Sequence, residues 1–290
     1  MKKLLLLTIF LSLFYCKKEI VEEKMVVTST YGEVLINENK DNVHVGLVVK
    51  QGDIIRTENG KITFQNREGV TILIKEFSKI RISSLTRRLT NIESTNGSML
   101  IRINNKLDAG SNFNVMTPTA VAGVRGTTFF VYSSRESTIV NSIEGSVEVG
   151  KPGEAGVIAQ KRSVEVNATG QKVLQENYAP NLSEVTDILT TVTVSPENVD
   201  RAVNGDTREL EIESRDKAKD VEKDTMDILR SPAYVAVRNA EVIKSTVVLK
   251  DGSRVRGNVV FQTQQKIFVI VEDRSVRELE KNTVSSIEFF

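Results

Sequence analysis

The 290-residue chain has no Trp, one His (His44) and one Cys (Cys16). Aromatic residues make up only 6% of it, so any core must rest on Val, Ile and Leu. A single imidazole and a single thiol cannot build a Zn site of the usual N/S type. A Ser-His-Asp triad would have to recruit His44, which lies between Val43 and Val45 in an alternating stretch that reads as a strand with its imidazole facing solvent. There is no Gly-x-Ser-x-Gly elbow and no Asp-x-Asp-x-Asn-Gly calcium loop. With 39 Lys and Arg against 38 Asp and Glu, the formal net charge is +1, which is no footprint for nucleic acid. These shortages argue against an enzyme and against a cofactor or metal. Carboxylate pairs stay open, but among 38 acids chance pairs carry no weight.

Long hydrophobic runs are also missing. The longest, Leu4 to Phe14, spans about 11 residues behind Lys2-Lys3. It is too short for a membrane-spanning helix, which needs about 20, and it fits the apolar core of an export signal. Leu13-Phe14-Tyr15-Cys16 resembles a bacterial lipobox, with Leu at −3, Cys at +1 and Tyr15 in place of the usual small residue. Such relaxed boxes are similar to those of spirochaetes. The expectation is a signal at 1–15 and a diacylglycerol- and palmitate-bearing Cys16 as the lipid-attachment site. A charged tether over 16–24 would follow. The mature chain would be an exported, membrane-anchored lipoprotein on the periplasmic or surface face of the outer membrane. The rival is an ordinary signal or an uncleaved anchor.

From Met25 the apolar residues alternate with period two in short runs rich in Val, Ile and Thr, split by Gly, Asn and Asp. Asn59-Gly60 predicts a hairpin between strands Ile54–Thr57 and Lys61–Gln65, and Val43–Val49 predicts another strand. Glu68-Gly69 and Asn96-Gly97 predict turns, the latter separating strands Leu89–Glu93 and Met99–Ile103. The pattern runs to about Leu174, so a β domain is expected over 25–176, as a roll, solenoid or sandwich.

The most informative run is Thr117-Pro118-Thr119-Ala120-Val121-Ala122-Gly123-Val124-Arg125-Gly126-Thr127-Thr128-Phe129-Phe130-Val131. Pro118 fixes its own φ, small residues and two glycines permit close backbone approach, and a β-forming run follows. It reads as a corner closed by a buried strand. With Glu144-Gly145-Ser146-Val147 downstream, and Gly32-Glu33-Val34 and Gly52-Asp53-Ile54-Ile55-Arg56-Thr57 upstream, it resembles the signature of the FecR-like domain, an extracytoplasmic β-rich module. The resemblance covers about residues 30 to 149. It implies a β fold in the cell envelope and a part in relaying the state of a surface receptor, although this chain shows no membrane helix ahead of the domain. The candidate corner comprises Pro118, Gly123, Arg125, Gly126, Thr127 and Phe129. Arg125 is expected to lock it by bridging carbonyls or a carboxylate such as Asp53 or Glu144, with a ligand contact as the alternative.

Character shifts near Tyr178. Asn181-Leu182-Ser183-Glu184 predicts a short helix to Leu189, and Ser195-Pro196-Glu197 predicts another. Asp206 or Thr207 starts a longer helix to about Leu229, with Glu211–Arg215 and Glu213–Lys217 pairs. A helical linker is therefore placed at 177–232. Five short strands then predict a small SH3- or Sm-like β-barrel over 233–290, with Gly257 supplying a strong bend. The functional expectation is a non-enzymatic, lipid-anchored envelope scaffold whose partners are the membrane, through its lipid, and an envelope protein or glycan. The rivals are a surface adhesin that binds host matrix and a glycan-active envelope enzyme.

Overall fold

The computed structural model describes residues 22–230 and 245–289, except 105–106, 108–109, 125, 152–153, 171, 177, 179, 181, 263–265 and 272–274. The expected signal, Cys16 and most of the tether therefore lie outside the described residues, as does Arg125. Among the described residues no helix is long and apolar enough to cross a membrane.

Sixteen strands form two hydrogen-bonded layers. The first contains β2 (Val34–Ile36), β4 (Ile54–Thr57), β7 (Lys79–Thr86), the first half of β8 (Leu89–Ile103), β9 (Asn112–Met116), β10 (Val121–Val124), β13 (Val147–Gly150) and β14 (Val157–Ala159), in that spatial order. The second runs β3 (Val48–Val49), β1 (Met25–Tyr31), β5 (Lys61–Gln65), β6 (Val70–Ile74), the second half of β8, β11 (Thr128–Ser133), β12 (Ser137–Glu144), β15 (Ser163–Asn167) and β16 (Lys172–Gln175). All these pairings are antiparallel except β8 with β9. The facing sides bury one continuous hydrophobic cluster, including Ile55, Ile72, Ile74, Ile80, Ile92, Val115, Phe129 and Val131. Each such side chain contributes about 1.5–3 kcal/mol when fully buried.

β8 is shared by both layers. Leu89 to Asn96 pair with β7 and β9, and Gly97 to Ile103 pair with β6 and β11. Asn96-Gly97 is thus a bend inside one fifteen-residue strand and does not end it. Gly97 has φ +103°, and a Cβ there would lie 2.4 Å from the Cα of Ser78. The same glycine signal that marks a reversal elsewhere here permits a strand to pass from one sheet to the other.

Asn59-Gly60 also departs from expectation. β4 pairs with β2 and β7, and β5 pairs with β1 and β6, so the two form no hairpin. The segment carries the chain between layers, and Gly60 is needed because a Cβ would lie 2.6 Å from the amide nitrogen of Glu33. Of the expected strand at 43–49, only Val48–Val49 is laddered. His44 lies in an exposed connection, its Nδ1 2.8 Å from the Asn42 carbonyl. Glu68-Gly69 does turn between paired strands β5 and β6, with Gly69 at φ +82°.

Three helices follow: α1 (Leu182–Thr190), α2 (Pro196–Val203) and α3 (Arg208–Arg230). Pro196 sits in the first turn of α2, where its missing N–H costs nothing. Glu213 of α3 accepts the Ser195 amide at 3.0 Å and meets Lys217 at 3.0 Å. Glu211 takes the Thr207 hydroxyl at 2.6 Å. The segment 191–210 packs on the second sheet, where Val192, Val194, Val199, Ala202 and Leu210 cluster with Val26. Gln65 of β5 exchanges two hydrogen bonds with the Val194 backbone, at 2.8 and 2.9 Å. This third layer explains why β6 is buried at every position while β7 alternates.

The C-terminal strands are β17 (Ser245–Leu249), β18 (Arg254–Gln262), β19 (Lys266–Val271), β20 (Val276–Glu280) and β21 (Val284–Phe289), in the order β20-β19-β18-β17-β21. All are antiparallel, and among the described residues no ladder joins β20 to β21. The sheet is open, and the closed barrel expected from sequence does not form. A hydrophobic cluster on one side, centred on Val247, Ile267 and Val269, suffices without closure. The register shift in β18 falls between Val259 and Phe261, away from Gly257. A Cβ at Gly257 would lie 2.2 Å from the Ile270 carbonyl oxygen, so this glycine serves close strand approach in place of the expected bend.

Candidate functional site

The glycine-rich run divides into a hairpin and a crossing. Thr117 to Ala120 form a tight turn, closed by a 2.9 Å bond from the Thr117 amide to the Ala120 carbonyl, with Pro118 exposed at its tip. The Thr117 and Thr119 hydroxyls each lie 2.6 Å from that of Thr138. Val121–Val124 is a strand paired on both sides, with β9 and β13, so the small residues read as a corner belong to a ladder. Gly123 lies within it, and a Cβ there would meet nothing nearer than 3.4 Å. The crossing itself is Gly126-Thr127, with Gly126 at φ +115° and Thr127 buried. Phe129 is fully buried in β11.

Pro118 and Gly126 thus stand beyond opposite ends of β10, a strand of four residues and about 13 Å. Gly126 is brought instead to Gly145, the return crossing between β12 and β13. Gly145 has φ +76°, and a Cβ on it would lie 2.5 Å from the Gly126 carbonyl oxygen. The two glycine signals are one device: two chain segments change layers side by side, Gly126 at a positive φ and Gly145 with no room for a side chain. The bridge expected from Arg125 lies outside the described residues. Asp53 is satisfied locally, accepting from Asn37 Nδ2 and from the Lys50 amide, both at 2.9 Å.

A second constellation has no counterpart in the sequence reading. α1 turns its acids inward, and Glu184 and Asp187 are 0% and 1% exposed while Leu189 is 42% exposed. Asp187 meets Lys61 of β5 at 2.8 Å and Lys75, just past β6, at 2.6 Å. Lys75 also donates to the Ser183 hydroxyl at 2.9 Å. Glu184 accepts from Tyr132 of β11 and Asn141 of β12, both at 2.8 Å, and from the Tyr178 hydroxyl. Arg102 of β8 donates to the Ile188 carbonyl at 2.7 Å, placing a cation near the C-terminal end of the helix dipole. Leu73, Leu100 and Phe130 form the apolar floor.

Electrostatics fit this geometry. Burial pushes the Asp187 carboxyl up, but the two adjacent ammonium groups outweigh it and hold Asp187 below the usual carboxylate range. Burial likewise opposes charge on Lys61, yet Asp187 and Glu76 keep it well above its ordinary value. Burial, followed by the Glu184 charge, raises the Tyr132 phenol. Only the spacing of two acids three apart on one helix face hinted at this site, and that pattern normally marks a solvated face.

A third feature is a cavity of about 230 Å³ at one end of the layers, lined by Glu23, Asn66, Glu68, Arg87 and Phe113 among others. Burial, then a hydrogen bond with Glu68, raises the Glu23 carboxyl to about 7. Among the described residues no three His, Cys, Asp or Glu side chains gather to hold a metal.

Residues 53–148 match the model of the family described as FecR protein. The match runs from Asp53 through both glycine crossings to β13, so over this third of the chain the resemblance drawn from the boxes holds. Two crystal structures of a proposed anti-sigma factor from Parabacteroides distasonis are similar. One is 22% identical over 47% of this chain and 64% of that chain, with a TM-score of 0.39. The other is 19% identical over 46% of this chain and 62% of that one, also with a TM-score of 0.39. This chain therefore spans less than two thirds of either. No curated protein matches it.

Proposed function

We propose that the protein is a non-enzymatic binding module of the cell envelope, with a signalling role of the FecR type, tethered to a membrane by lipid on Cys16. The observation that carries the reading is the family match at residues 53–148, coincident with the paired glycine crossings. A rigid sandwich offers edges and faces to a neighbouring polypeptide or glycan, and binding by sheets needs no reactive side chain. The C-terminal sheet, of SH3- or Sm-like strand order, would be a second module in the same chain.

Two experiments test this. Fatty-acid labelling of cells should mark the wild-type chain and leave the Cys16→Ala variant unlabelled; equal labelling removes the anchor. Photo-cross-linking in intact cells should trap an envelope component, and protease shaving then separates an inward-facing scaffold from a surface adhesin. A mature chain found only in cytosol would refute the envelope role.

A further inference from the structure

We propose that the outer face of the second sheet beneath α1 is a docking surface for an acidic amphipathic helix, and that α1 is its occupant in cis. A partner helix with a Glu-x-x-Asp pair on its inward side would compete for the same place. For its biological use this rests on the binding role above, but it concerns a surface that the purified protein can report on.

Three observations carry it. The surface is matched to a helix by charge: Lys61, Lys75 and Arg102 rise from β5, from just past β6, and from β8 around a floor of Leu73, Leu100 and Phe130. Recognition falls on groups any helix of this kind could offer. Lys75 reaches a hydroxyl in the first turn, Arg102 reaches a carbonyl near the last, and the two inward acids fall on Lys61, Lys75, Tyr132 and Asn141. The contact is also an unusual way to hold a nine-residue helix permanently. Ile188 packs on the apolar floor, but two buried acids share that inward side, and Leu189 is left 42% exposed. Buried ion pairs stabilise little compared with apolar packing of equal volume, but they discriminate strongly against a wrong partner. That balance suits a helix that must be specific and replaceable. Because α1 is joined to the sheet by a short connection, its effective concentration is in the millimolar range, so a free helix competes poorly until α1 is displaced.

The test uses the full chain with Glu184→Lys and Asp187→Lys together, which repels α1 from the cationic face. A fluorescent peptide with the sequence of residues 181–195 is titrated in by anisotropy. The variant should bind it at least tenfold more tightly than the wild type does. Binding should weaken with salt and vanish for a peptide carrying the same two reversals. A folded variant that binds neither peptide, or binds both alike, overturns the proposal. Should the variant not fold, native-state hydrogen exchange on the wild type decides. α1 amides should exchange through a local opening while those of β8 and β11 stay protected. Protection of α1 equal to that of those strands overturns the proposal.

Discussion

Replacing Asp187 by Asn tests the energetics of the buried ionic contact directly. The substitution keeps the shape and removes the charge, leaving two ammonium groups whose side chains are 11% and 8% exposed. At an effective dielectric of about 20 each close pair is worth about 6 kcal/mol of gross attraction, much of it cancelled by desolvation. Removing one member of such a contact costs about 3–5 kcal/mol, because the remaining charge stays buried without its partner. Lys61 keeps Glu76 at 3.6 Å, and an amide oxygen still accepts one hydrogen bond. The lower end, about 3 kcal/mol at pH 7, is therefore expected. The sign with pH follows from the depressed Asp187 value. Its contribution is present above the ordinary 3.8 and is lost as pH falls through the lower folded value. Urea unfolding of both proteins should thus show a gap that is constant from pH 7 to about 5 and narrows progressively below about 4. A gap under about 1 kcal/mol at pH 7, or one that does not narrow as pH falls below about 4, would refute the reasoning.

Gly145→Ala should cost about 3 kcal/mol, since it combines a positive φ with a Cβ 2.5 Å from a carbonyl oxygen. Gly123→Ala, where the nearest atom is 3.4 Å away, should stay within about 1 kcal/mol in the same melts. Similar losses at both positions would show that the crossing geometry does not matter. Glu23, raised to about 7 by burial and Glu68, should make the wild type lose stability as pH rises from its ordinary 4.5 through 7. Glu23→Gln should flatten that slope between pH 5 and 8, as read by thermal melts; an unchanged slope assigns it to other groups.

The runs that read as strands are strands almost wherever apolar residues alternate, and in the C-terminal region the five expected strands all form. Misreadings cluster at Asn-Gly steps. Asn59-Gly60 and Asn96-Gly97 carry the residues of a type I′ turn, but the first crosses between layers and the second bends a strand through both. A local signal says that backbone can take an unusual path there. It does not say whether the flanking strands then pair with each other. The absence of barrel closure has the same origin, because strand spacing leaves unsettled whether β20 and β21 come within hydrogen-bonding reach.

Composition and period by themselves determined a β-rich chain with one His and one Cys. Together with the boxes around Gly52, Gly126 and Gly145, they also determined the class of domain at its centre. These are properties of single residues and near neighbours, which a linear string carries in full. Only the tertiary structure decided that Gly126 and Gly145 share one crossing, and that Asp187 faces inward onto lysines more than 100 residues away while Glu184 beside it meets Tyr132 and Asn141. Burying a carboxylate is unfavourable unless a cation meets it, and that cation belongs to another strand whose position is set by the whole sheet.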